Sequence, residues 1–157
     1  MGGALGLLTA RLDAQRAAAA PPPARVHPAV RADLVVADDP GAQAAFGVVA
    51  SAAYNVRVEL DAGIGAVRRG SVWTSAGRLD LLARWLSDPF RESRWGINAG
   101  GGIGMQFERG RGPRPVAIIT LGVEGRRDGW WVPGVEVGLG GGVRAGLTLR
   151  RATPRRR

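Results

Sequence analysis

His27, beside Pro28, is the only histidine in the chain, and cysteine is absent. No serine stands with a histidine and an acid in a pattern that suggests a triad, so nucleophilic catalysis would rest on one residue just ahead of the first strand. It reads as a solvent-exposed loop histidine. Without thiolates, a metal site would have only carboxylates to draw on, most of them with arginine neighbours. Glu59 and Asp61, two residues apart, share one face of an extended chain and could divide general acid and base work. Arg57 lies on that same face, which favours an ion-pair network over catalysis. Two glycine runs, Gly100-Gly101-Gly102-Ile103-Gly104 and Gly138-Leu139-Gly140-Gly141-Gly142, have the composition of phosphate loops. A dinucleotide fingerprint needs a strand, the glycine turn and then a helix; both runs sit inside alternating strand pattern with no helix after them. The residues therefore imply no cofactor and no metal.

The elements that must carry these residues read as strand after strand. In 29–37, Val30, Ala32, Leu34 and Val36 oppose Arg31 and Asp33. In 43–54, Phe46, Val48, Ala50, Ala52 and Tyr54 share a face. In 56–67, Val56, Val58, Leu60, Ala62, Ile64 and Ala66 oppose Arg57, Glu59, Asp61, Gly63 and Gly65. Within 72–87, Leu79, Leu81, Ala83 and Trp85 oppose Arg78, Asp80 and Arg84, with Leu82 and Leu86 breaking the alternation. Residues 95–108 set Trp95, Ile97, Ala99, Ile103, Met105 and Phe107 against Asn98, Gln106, Glu108 and four glycines. Residues 115–124 are more evenly apolar. Residues 133–150 read as one long strand, with Val135, Val137, Leu139, Val143, Ala145, Leu147 and Leu149 against Glu136, Arg144 and glycine. A period of two is the signature of an extended strand with unlike faces.

Turn chemistry separates these runs at Asp38-Asp39-Pro40-Gly41, Arg69-Gly70-Ser71, Asp88-Pro89, Gly110-Arg111-Gly112-Pro113 and Arg126-Arg127-Asp128-Gly129. Short connections make antiparallel hairpins. The fold class is all-β: an antiparallel up-and-down β-meander closing into a small barrel of about eight strands. Seven strands are visible; residues 8–14, which also alternate, are a candidate for the eighth, and the alternative is that the long runs at 72–87 or 133–150 break differently.

The 157 residues divide into a leader at 1–25, a barrel domain at 26–150 and a basic tail at 151–157. The leader, an apolar run followed by alanines and three prolines, reads as a degenerate signal peptide or a disordered segment. All 22 basic residues are arginine, and the formal net charge is +9. Five of those arginines (Arg150, Arg151, Arg155, Arg156, Arg157) crowd the C-terminus; without them the net charge falls to +4, interleaved with acids. That distribution lacks the clustered basic face and stacking aromatics of a nucleic-acid binder and suits a solvated tail or contact with anionic lipid.

An alternating barrel can turn either face inward. A lipocalin-like barrel buries its apolar face, whereas a transmembrane barrel turns it to lipid. Three features favour the second. The polar face mixes both signs of charge with glycine, predicting a lumen ion-pair network of Arg57, Glu59, Asp61, Arg78, Asp80, Arg84, Glu108, Glu136 and Arg144. Gly96, Gly100, Gly102, Gly104, Gly138, Gly140, Gly142 and Gly146 on that face would leave room for long side chains. The large aromatics Tyr54, Trp73, Trp85, Trp95, Phe107, Trp130 and Trp131, with Phe90, fall near strand ends, where an interfacial girdle would sit. Most of the runs are long enough to cross a bilayer at a tilt.

On these strands, over residues 29–150, the chain resembles the small bacterial outer-membrane β-barrel family, of the eight-stranded OmpA/OmpX kind. It departs from that family in ending Leu149-Arg150 and running on into an arginine tail, where members usually close on an aromatic. The resemblance implies a non-enzymatic protein of the outer membrane of a Gram-negative-type bacterium, with outer-membrane lipid as its partner and a structural or surface role or a narrow pore. A soluble periplasmic or secreted lipocalin-like barrel binding a small apolar ligand is the alternative. A lipid-modifying barrel enzyme using His27 is a third reading. Oligomeric state is left open.

Overall fold

The computed structural model describes residues 26–87, 94–125 and 129–152. Eight strands make up this part of the chain: β1 (Val26–Val36), β2 (Gly41–Ser51), β3 (Val56–Arg69), β4 (Val72–Leu86), β5 (Gly96–Glu108), β6 (Arg111–Glu124), β7 (Trp131–Leu139) and β8 (Val143–Arg151). Each pairs antiparallel with the next, and β8 returns to pair with β1, so the expected meander closes into a barrel.

The eighth strand comes from dividing 133–150. Gly140, Gly141 and Gly142 form a turn between β7 and β8, with Gly141 at φ +75° and Gly142 at φ +148°, and the Gly140 N–H donates to the Gly142 carbonyl. The glycine run expected inside a strand is thus a hairpin tip. The candidate eighth strand at 8–14 lies outside the described residues, as do the leader, Phe90, the Asp88-Pro89 turn and residues 126–128 and 153–157.

Two other boundaries move. β2 stops at Ser51, so Ala52 and Tyr54 lie in the turn before β3 rather than on a strand face. The turn between β5 and β6 is Arg109-Gly110, and Arg111, Gly112 and Pro113 belong to β6. Proline is tolerated there because β6 pairs with β7 only from Ile119 to Glu124. Residues 111–118 have β5 on one side and no strand on the other, an edge where a missing N–H costs nothing.

Register fixes the geometry. Paired residues followed once around the barrel run Val26, Ala50, Val58, Ala83, Gly101, Ile119, Leu139, Val143 and return to β1 at Val36, ten residues along. A shear of that size with eight strands tilts each strand by about 40° and leaves an interior just wide enough for side chains to fill. With about 3.3 Å of rise per residue along a tilted strand, one circuit climbs roughly 25 Å.

The stagger also shapes the two ends. At the end bearing the described chain termini, the strands finish at one level. At the other, β3 to β6 (14, 15, 13 and 14 residues) overtop β7 and β8 (9 residues each), making a tall wall and a short one.

A charged plug inside an apolar belt

The inward face of the barrel is the charged one. Arg31, Asp33, Arg57, Glu59, Asp61, Arg78, Asp80, Arg84, Glu124, Glu136, Arg144 and Arg150 are all buried, six arginines against six carboxylates. The buried set is therefore formally neutral, and the net charge of +9 lies wholly outside it. The outward face carries Leu34, Phe46, Leu60, Ile64, Ile103, Ile119, Val135 and Leu147, all exposed. Every exposed charged residue on a strand (Arg68, Arg111, Arg114 and Arg151) stands within four residues of a strand end.

Register stacks the buried charges along the axis. Nearest the termini, the Arg57 guanidinium donates to Glu124 at 2.9 Å and Arg150 donates to the same carboxylate at 3.1 Å. Above them Arg84 bonds Glu59 and reaches across the lumen to Glu136, which Arg31 also engages from the opposite wall. Arg31 donates through Nε to Asp33 at 2.8 Å, and its Nη1 lies 4.0 Å from Asp61. Farthest from the termini, Arg144 links Asp33 at 3.0 Å and Asp80 at 3.5 Å, and Arg78 pairs with Asp80. Residues up to 111 positions apart in sequence are joined this way.

Like charges sit directly opposite on β3 and β4, Arg57 against Arg84 and Asp61 against Asp80. Directly opposed like charges destabilise a sheet, so each finds its partner diagonally or across the barrel. Glycine supplies the space for this. Asp61 lies over Gly47, Asp80 over Gly104, Arg84 over Gly100, Arg78 over Gly63 and Asp33 over Gly146. A Cβ on Gly47, Gly104 or Gly146 would meet the carboxylate opposite.

Apolar side chains close the stack: Ala29, Val49, Leu86 and Val132 toward the termini, and Val35, Val67 and Ala76 toward the hairpin tips. Leu82 and Ile118 point inward at mid-depth, which explains the broken alternation around Leu82 and the adjacent Ile118-Ile119 pair. Two cavities lined by the described residues of this interior measure about 20 Å³ and 30 Å³.

Eight of the nine residues expected in the lumen network come together there. Glu108 does not. It stands at the tall rim with Arg69, Asp39 and Arg111, the last reaching Asp39 at 3.3 Å and Glu108 at 3.4 Å. Four further residues join the network: Arg31 and Asp33, on the polar face of β1, Glu124 at the end of β6, and Arg150, one of the five arginines near the C-terminus. Arg150 is an inward residue of β8, with the same parity as Arg144. The seven girdle aromatics are all exposed at the barrel's ends: Tyr54, Trp85, Trp95, Trp130 and Trp131 at the terminal end, Trp73 and Phe107 at the other. Arg151 stacks 5.5 Å from the Trp130 ring. His27 lies within β1, half-buried, rather than in a loop. No group of three metal-competent side chains occurs among the described residues.

Neither a family model nor a curated protein matches this chain.

Proposed function

We propose that this chain is a non-enzymatic outer-membrane β-barrel whose lumen is plugged by its own ion pairs, serving a structural or surface role. One observation carries the reading: the buried face is charged and the exposed face is apolar, the reverse of a water-soluble barrel. Among the described residues, thirty large hydrophobic side chains are exposed, against ten buried hydrophobic residues. Soluble proteins rarely expose contiguous apolar patches beyond a few hundred Å². Strands of 9 to 15 residues meet the roughly 9–11 that cross a bilayer at a tilt, and the aromatics at both ends fit interfacial girdles. Closure of β8 on β1 leaves no free strand edge around the ring up to the level where β7 ends.

The filled lumen favours a structural role over a pore, and its small cavities give an apolar ligand no room. In detergent, unboiled protein is expected to migrate differently from boiled protein, and planar bilayers carrying it to show no stepwise conductance. A chain that stayed monomeric in plain buffer would sink the membrane reading. Discrete channel openings would replace the plug with a narrow pore.

A further inference from the structure

On the premise of that membrane reading, we propose that the outer surface of the tall wall binds an acylated lipid bearing a phosphate headgroup. Two observations meet there. The first is an apolar groove of about 500 Å³ on the outer face of β3 to β6, lined by Leu79, Leu81, Ile103, Met105, Pro115 and Ala117. The second is the set of cations directly above it. Outward residues climbing β5 run Ile103, Met105 and Phe107, with Arg109 exposed in the turn; on β6, Ala117 and Pro115 share that face, in register with Ile103 and Met105, whereas the shifted register above them sets Arg111 against Glu108. The hairpin thus presents an apolar trough, an aromatic ring and the exposed Arg109 in the order of a lipid's chain, interface and headgroup. Arg68, exposed and paired in register with Trp73, stands alongside at the end of β3.

The rim has cationic capacity to spare. Arg68, Arg69, Arg109, Arg111 and Arg114 face only Asp38, Asp39 and Glu108. Two of those carboxylates are already engaged by Arg69 and Arg111. Arginine's planar fork is suited to phosphate oxygens. A second groove, about 570 Å³, lies on the wall formed by β1, β2 and β8, with Ala32, Ala42, Ala44 and Ala145 among its lining. The hairpin above it carries Asp38 and Asp39. Its comparable volume beneath an acidic hairpin makes it an internal control.

The test is native mass spectrometry of the folded barrel released from detergent, comparing phosphatidylglycerol with phosphatidylcholine of the same chain length. A one-to-one phosphatidylglycerol adduct is expected, with its preference falling roughly fivefold for each arginine removed in Arg109→Gln and Arg68→Gln. Filling the groove by Ala117→Trp should abolish retention, and Ala44→Trp in the other groove should not. Heat-dependent gel migration checks that each variant folds. Equal retention of the two lipids, a preference indifferent to the arginines, or retention of inorganic phosphate alone would overturn the proposal while leaving the membrane reading intact. A protein that folds in no detergent or bilayer would overturn both.

Discussion

At the residue scale, Glu136 is the joint of the network. Arg31 from β1 and Arg84 from β4 converge on its two carboxylate oxygens. Buried pairs add little net stability when intact, but breaking one strands an uncompensated charge. Glu136→Ala would leave Arg31 to Asp33 and Arg84 to Glu59, with one buried positive charge uncompensated, and a loss of about 3–5 kcal/mol is expected in urea titrations of the barrel folded in lipid vesicles. Glu136→Gln, which keeps an acceptor between the two guanidiniums, should lose less. Equal stability of the Ala variant and the parent would show that Glu136 does not hold the network. Parity alone sets these residues on the polar face of their strands. Their partners were illegible, because Arg31 meets Glu136 over a sequence separation of 105 that only closure of the barrel brings to hydrogen-bond distance.

At the element scale, the β7–β8 hairpin shows what alternation hides. Leu139 pairs with Val143, four positions on, so outward residues keep odd numbers on both sides of the turn and the pattern runs through it unbroken. At the β3–β4 hairpin, Arg69 pairs with Val72, three positions on, and parity flips. That reversal is visible in the sequence, where Arg57, Glu59 and Asp61 give way to Arg78, Asp80 and Arg84. Deleting Gly141 should invert β8, sending Arg144 and Arg150 outward and Leu147 and Leu149 into the lumen, since a one-residue slip exchanges the faces of a strand. The expected outcome is loss of the heat-sensitive folded band on gels, while inserting two glycines beside Gly141 preserves it. A deletion variant that folded as well as the parent would show that the turn does not set the facing of β8.

At the scale of the whole molecule, the apolar belt has the arginines at its margins. Ile64, exposed on the outer face of β3, is flanked by no charge on that face until Arg68 near the strand's end. Ile64→Arg is expected to cost about 2–4 kcal/mol of folding into bilayers if the side chain lies near the midplane. Arg68→Glu at the rim should change it far less. Equal effects at the two sites, read from vesicle-folding equilibria, would argue that the belt does not face lipid.

The sequence by itself determined that the chain is a meander of strands with one apolar and one charged face, because a period of two is a local property of extended backbone. It also determined which residues share the charged face, since parity needs no partner. Tertiary structure decided the strand count, because a turn that preserves parity leaves no trace in the alternation. It decided that the charged face is the inner one, because either face of a closed sheet can be concave and the choice rests on whether the charges meet. Six arginines and six carboxylates do meet, and the contacts of β1 with β7 and β8 exist only once β8 has found β1.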